Sequence, residues 1–592
     1  RVKSQNRQTL WTTNRGWTER LRKCQTGHNL PEKPRGLQDS NGQKLARKAR
    51  QTSPITHCLL RQARLYLRPQ PKHGCLLIAW QKVRHSEGFA DVAPKPRLFE
   101  LGWETWDALG WQTNEESVQQ YLKKFSENDY PIRWAVTGSG FWKKGGSTAS
   151  FGEWNPDKFA HHRDLKRWLD SKDIKWMIGQ RTNFVALSGP HAPKGRRDGN
   201  ASMDKLLTSP NTAEGLENNY FHQDTKTFRS KFFPLAPLHI LDSNKPNAAD
   251  WFSNLYSKWQ VDGIKEDTMV PLTDSTLFNR AMVKISANKG LVMARNGAFS
   301  SPGTLLRVND THGNSSLSLR TPINYLQYAA CAAPNAYADT VGFKSMHKYS
   351  DANMRNAWFQ AVSPSMAVGK GPWTWPKDKQ AHFKKAVDFH HALVPYLHDA
   401  AFDSYRTGYP YTLTPLPIAF PDDQNTYSLA SKEHGQFQWM IGESLLAAPQ
   451  LNLNPKTNQT MSVYLPAGKW IDYETGKVHH GPKTLPNHPS PVSHAPVFVG
   501  GKGVLVLREP RESSLIAQVF PVTEAKSLFT FTHLDGKATT RIASRNTQWN
   551  PEKLKVTDRT SKRTIRHSIH SKTGSISFPI QPDHHYLIED KS

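Results

Sequence analysis

The sequence predicts an α/β protein built on a (β/α)8 TIM barrel and followed by C-terminal antiparallel β-domains. Strand-like and helix-like segments alternate about eight times between roughly residues 130 and 370. The segments that read as strands share one grammar: a short apolar run, then polar or charged residues, then Gly or Pro. Buried parallel strands ending in surface loops look like this, and α/β enzymes place their chemistry at such strand ends. Beyond Gly408 the pattern changes to short Val, Leu and Phe runs between Pro and Gly turns, as in Ser462-Val-Tyr-Leu465 and Gly503-Val-Leu-Val-Leu507, which predicts one or two antiparallel β-domains.

Taken in order, periodicity first becomes legible near Leu101. Thr113 and Glu116 make a capping box, and Val118, Tyr121, Leu122 and Phe125 follow at helical spacing. The expected strands are 132–136, 175–178, 238–241, 261–264, 291–294, 305–308, 337–340 and 365–368. Between them, Leu165, Trp168 and Leu169 mark one helix, and Ala248, Trp251, Phe252 and Leu255 another. Further helices are expected around 278–285, 323–330 and 353–361. A Gly- and Asn-rich insertion occupies about 187–230. A long helix from about Asp378 to Thr407 stops at Gly408 and Pro410. The domain boundaries expected are 1–100, 101–408, 409–510 and 511–592.

Composition bounds the function. A chain of 592 residues with 19 Trp supports several domains and a large core. No apolar run approaches the length of a membrane span, and no signal-peptide h-region is visible after Arg1. The four Cys, at 24, 58, 75 and 331, show no metal-binding spacing, so neither a metal nor another cofactor is expected. The net charge of +28 raises a nucleic-acid reading, but its distribution weakens it. Residues 1–100 hold 21 Lys or Arg against 6 Asp or Glu, while the other 492 residues hold 57 against 44. Residues 1–70 are basic and aperiodic, the composition of a solvated segment, with a divergent β-sandwich as the rival reading.

Two aspartates carry the chemistry. Asp267 ends Val-Asp-Gly-Ile-Lys-Glu-Asp (261–267), and Asp310 lies in Arg-Val-Asn-Asp-Thr-His-Gly (307–313). Between them Leu-Val-Met-Ala-Arg-Asn-Gly (291–297) delivers Arg295. Two carboxylates and a guanidinium at strand ends supply a nucleophile, a proton donor and a sugar-orienting cation, as glycosidic bond cleavage requires. Lys265, two residues before Asp267 on the same strand face, is expected to hold that carboxylate ionised.

From about Leu101 to the end, the chain resembles glycoside hydrolase family 31, the retaining α-glycosidases with a barrel and C-terminal β-sandwiches. The stretches that carry the resemblance, in order, are Val-Asp-Gly-Ile-Lys-Glu-Asp (261–267), Ala-Asp-Thr-Val-Gly-Phe (338–343), Leu-Val-Pro-Tyr-Leu (393–397), Phe-Pro-Asp-Asp (420–423), Gly-Glu-Ser-Leu-Leu-Ala-Ala-Pro (442–449) and Tyr-Leu-Pro-Ala-Gly-Lys-Trp (464–470). The resemblance implies that Asp267 is the nucleophile and Asp310 the acid/base. It also implies that Lys265, Arg295 and Asp339 contact the sugar, and that Trp142 or Trp373 walls the pocket. The activity it implies is exo-acting hydrolysis of terminal α-linked sugars, α-glucosidase- or α-galactosidase-like, with carbohydrate as partner and no membrane.

Three segments depart from the family pattern. The aspartate commonly found after the first strand is absent from Val-Thr-Gly-Ser-Gly-Phe-Trp (136–142). The usual Arg-x-His is replaced by Met-Ala-Val-Gly-Lys-Gly (366–371), and Trp-x-Gly-Asp by Arg-Val-Asn-Asp (307–310). Hydroxyl recognition has therefore been rebuilt. A catalytically inactive carbohydrate-binding relative is the alternative reading, and a basic nucleic-acid-associated protein a weaker one. Limited proteolysis tests the reading of residues 1–70. Early nicking is expected to leave a core starting between Arg68 and Leu101 that keeps the activity of the whole chain, whereas loss of activity on trimming would favour the β-sandwich.

Overall fold

A computed structural model describes residues 92–138, 155–185, 210–222, 238–268, 280–295, 303–308, 320–338, 340–342, 346–429, 436–451, 459–509, 514–522, 527–545 and 549–591. The basic stretch 1–70 and the site candidates Trp142, Asp310 and Asp339 lie outside the described residues.

Among the described residues, ten strands precede the long helix: β1 (Leu101–Glu104), β2 (Trp134–Thr137), β3 (Lys175–Gln180), β4 (Asn183–Val185), β5 (Leu238–Ile240), β6 (Gly263–Glu266), β7 (Leu291–Ala294), β8 (Leu305–Arg307), β9 (Ala336–Tyr337) and β10 (Met366–Val368). Eight of them form one parallel sheet in the order β10-β1-β2-β3-β6-β7-β8-β9, and a parallel bridge from Val341 to Val368 nearly closes the ring. Two expectations about its members are corrected. Residues 238–241 do not join the barrel: β5 pairs antiparallel with β4 in a two-stranded sheet of its own. The vacant barrel place belongs to β1, which pairs with both β10 and β2. Its four residues give little apolar signal because Gly102 interrupts them. Glycine is required there, since a Cβ would lie 2.0 Å from the Trp134 ring.

Alternation along the strands divides their side chains between two cores. Trp134, Val136, Met177, Met293 and Leu305 belong to one cluster, which continues into the C-terminal sheets. Trp103, Trp176, Ile178, Ile264, Val292 and Val368 belong to the other, together with apolar residues of the surrounding helices such as Val118, Leu165 and Phe252. The first of those helices, Glu115–Glu127, is capped one residue later than expected. Asn114 Oδ1 accepts from the Ser117 amide at 2.8 Å, and Ser117 Oγ accepts from the Asn114 amide at 3.0 Å. Thr113 instead donates its hydroxyl to the Gly110 carbonyl at 2.8 Å.

The helix Lys377–Thr407 ends on Gly408, whose φ of 78° is the left-handed C-cap conformation that favours glycine. It ties the barrel to the sheets that follow. Leu393, Val394, Leu397 and Ala401 share one core with Val504, Val506 and Phe531. Tyr396 stacks on Phe529 and donates its hydroxyl to the Ile441 carbonyl at 3.0 Å. A six-stranded sheet, Thr414–Pro415 through Val497–Val499, comes first, then sheets of four and five strands. Val504–Arg508 already pairs with Leu515–Val519, so the change of sheet falls between Val499 and Val504, ahead of the boundary expected at 510.

A buried ion pair ties Glu100, the residue before β1, to this C-terminal half. Arg508 donates to both oxygens of Glu100, at 2.8 and 3.1 Å, and His391 lies 3.6 Å from the same carboxylate. Burial alone would push the Glu100 carboxyl up. Hydrogen bonds and charge from His391 and Arg508 overcome that and bring it down to about 2. A carboxyl depressed in the folded state stabilises the fold above its ordinary value near 4.5, and the contribution is lost as pH falls towards 2. Glu100→Gln is therefore expected to lower stability by about 3 kcal/mol at about pH 7. Thermal unfolding should show the gap to the parent chain narrowing at about pH 3, and a gap independent of pH would contradict this account.

Candidate active site

Inward-facing positions at the carboxyl ends of the strands carry charge instead of apolar groups. β1 ends on Glu104, β6 carries Lys265 and leads directly into Asp267, and β8 ends on Arg307. Arg295 follows β7, and Tyr337 closes β9. Glu104 reaches partners on three other strands. It accepts from Lys265 Nζ and, at 3.0 Å, from the Tyr337 hydroxyl, with Arg307 Nε 4.0 Å away. Asp267 receives two guanidinium groups on a single oxygen: Arg295 Nε at 2.5 Å and Arg307 Nη1 at 3.2 Å, both to Oδ1. Exposure is graded through the cluster. The side chains of Glu104, Arg307 and Lys265 are 2%, 5% and 7% exposed, Arg295 is 14% exposed, and Asp267 is the most open at 24%.

Charges this deep persist only if they are paired. Burial and the neighbouring Arg307 charge push the Lys265 ammonium down, but Glu104, Asp267 and Asp107 outweigh them and leave it above its ordinary value. Lys265 is therefore a fixed cation. With Arg295 and Arg307 it surrounds the Glu104 and Asp267 carboxylates.

A second set of bonds holds the loops that present these groups. The Asp267 amide donates to the Gln180 carbonyl at 3.3 Å and the Arg295 amide to the Glu266 carbonyl at 3.1 Å, so strand pairing continues on both sides of Asp267. Glu266, fully buried, accepts from the Thr268 amide at 2.9 Å, and the Thr268 hydroxyl accepts from the Thr182 amide at 2.7 Å. Across the ring, Thr340 donates to Asp107, and Trp103 Nε1 donates to the Gly369 carbonyl at 3.0 Å. The backbone flanking Asp267 thus has little freedom to move its carboxylate.

Of the expected site residues, the structure brings Asp267, Lys265 and Arg295 together. Asp310 and Asp339 lie outside the described residues, so the expected separation of the two catalytic carboxylates is not measured, and Trp142 lies outside them too. Lys265 makes its direct contact with Glu104 and reaches Asp267 through its charge, while the guanidinium groups of Arg295 and Arg307 touch Asp267. Trp373 packs against the helix Glu115–Glu127, with its ring 5.1 Å from Tyr121 and 5.0 Å from Phe125, which is a packing position. Glu104, Arg307 and Tyr337 escaped sequence reasoning. The available signal for Arg307 was its place three residues before Asp310, in a segment that departs from the family pattern. Glu104 follows an interrupted apolar run and offered none.

Among the described residues, no group of three His, Cys, Asp or Glu is arranged to hold a metal ion, and no helix is long and apolar enough to cross a membrane. The chain matches the family model for the glycosyl hydrolases family 31 TIM-barrel domain over residues 93–299 and the one for the family's C-terminal domain over 408–505. A 1,6-alpha-glucosyltransferase of Sporosarcina globispora is 23% identical over 481 residues, covering 72% of this chain and 35% of its own length. An alpha-xylosidase of Saccharolobus solfataricus is 27% identical over 253 residues, 40% of this chain and 33% of its own. The chain thus spans about a third of these curated relatives. Among solved structures, a family 31 dextranase of Flavobacterium johnsoniae complexed with glucose superposes with a TM-score of 0.64 at 16% identity, over 85% of this chain and 72% of its own, a likeness of fold. With two family models matching in chain order on a barrel and the sheets behind it, the chain belongs to glycoside hydrolase family 31.

Proposed function

We propose that this chain is a retaining, exo-acting α-glycoside hydrolase that removes terminal α-linked sugars by double displacement. Asp267 attacks the anomeric carbon and forms a covalent glycosyl-enzyme. Asp310 protonates the departing oxygen and then deprotonates the incoming water. Arg295, at the rim of the cluster, and Asp339 hydrogen-bond hydroxyls of the bound sugar. The observation that carries this reading is the state of Asp267: a carboxylate at a barrel strand's carboxyl end, the most exposed group of its cluster, with both of its guanidinium contacts on one oxygen. A nucleophile needs this combination of charge, access and one oxygen clear of those cations.

The matched relatives include a glucosyltransferase and a xylosidase, which favours neutral sugars as the substrate class. The first also supports a second reading, in which a sugar hydroxyl replaces water in the second step.

A panel of nitrophenyl α-glycosides (glucoside, galactoside, xyloside and N-acetylgalactosaminide), with product analysis for transfer, identifies the sugar and separates hydrolysis from transfer. Asp267→Asn is expected to abolish turnover. Asp310→Asn is expected to lose about 10²–10⁴-fold on poor leaving groups, much less on good ones, and to recover partly with added azide, which needs no general base. Binding of sugar without turnover on any substrate would leave the inactive-relative reading, and equal loss on all substrates without azide rescue would remove Asp310 from its role.

A further inference from the structure

We infer that Arg307 and Glu104 are positioning residues for Asp267: Arg307, held from behind by Glu104, keeps Oδ1 of Asp267 occupied and leaves Oδ2 as the attacking atom. The inference rests on the reading of Asp267 as the nucleophile, and it adds two residues that the family resemblance did not supply.

The geometry separates the work of the two arginines. Both donate to Oδ1. Arg295 is the more exposed of the two and is assigned to the sugar, so substrate competes for its guanidinium. Arg307, on β8 and 5% exposed, sits beneath Asp267 and stays on Oδ1 when substrate arrives. Charge from Glu104 bears on it: Arg307 Nε lies 4.0 Å from Glu104, whose other oxygen accepts from Lys265 and which also accepts from Tyr337. Glu104 therefore offsets the mutual repulsion of the Lys265 and Arg307 cations. A carboxylate held by one oxygen presents the other in a fixed direction, and that preorganisation lowers the barrier to attack without tightening sugar binding.

The test isolates the attack. With a 5-fluoro-α-glycosyl fluoride of the sugar selected by the panel, Oδ2 bonds to the anomeric carbon as the C–F bond breaks and fluoride leaves unprotonated, so Asp310 is not needed as acid. The second-order rate of covalent labelling, read by mass spectrometry of the Asp267 peptide, then reports positioning. The inhibition constant of the free sugar reports binding. Arg307→Met is expected to slow labelling about 10²-fold, Arg307→Lys and Glu104→Gln about tenfold each, with sugar affinity within about threefold of the parent chain. Labelling at the parent rate in Arg307→Lys or Glu104→Gln would overturn the inference, as would a loss of affinity matching the loss of rate. Those two variants decide the matter if Arg307→Met does not fold. Failure of the parent chain to label at Asp267 would instead overturn the nucleophile assignment itself.

Discussion

The cost of holding charge away from water at the axis of the barrel constrains everything around the candidate site. Glu104, Lys265 and Arg307 project from β1, β6 and β8 into one buried cluster, where an unpaired ion would cost several kcal/mol. Each charge is tolerated because a partner arrives from a different strand. The ring must therefore be nearly closed, and its strands correctly ordered, before the cluster exists. The same cluster turns a structural demand into a chemical resource: cations needed to neutralise Glu104 also stand under Asp267, the group nearest to solvent.

The outer part of the fold serves that closure. The helix Lys377–Thr407 shares one core with the C-terminal strands, and the Glu100–Arg508 pair anchors the chain immediately before β1 to the strand Val504–Arg508. Glu104 lies four residues beyond Glu100, at the far end of β1. The C-terminal sheets thus help to fix the strand from which the axial carboxylate projects.

Under the proposed role of Asp267 as nucleophile, sugar recognition and attack make opposite demands on it. Access requires exposure, while a directed nucleophile requires restraint. The gradient from the 2% exposed Glu104 side chain to the 24% exposed Asp267 side chain reconciles them, because the restraint comes from below and the opening is above. Glu266 and the two backbone bonds flanking Asp267 add stiffness without occupying the carboxylate.

The sequence by itself determined the class of the fold, seven of the eight barrel strands, the long helix with its glycine stop, and the strand ends carrying Asp267 and Arg295. Each is written locally, as a buried apolar run, a helical period or a chain-breaking residue. Tertiary structure decided what local pattern does not encode. The segments β5 and β1 are both short and partly apolar, and only their pairing partners separate a side hairpin from a barrel strand. The capping of Glu115–Glu127 moved by one residue because Thr113 and Asn114 both offer a suitable oxygen, and the turn at Gly110 engages Thr113. The meeting of Glu104 with Lys265 joins residues 161 positions apart, and that of Arg307 with Asp267 joins residues 40 apart. Spacing along the chain carries no trace of such contacts, which arise only when closure of the ring turns the strands' inner faces towards one another.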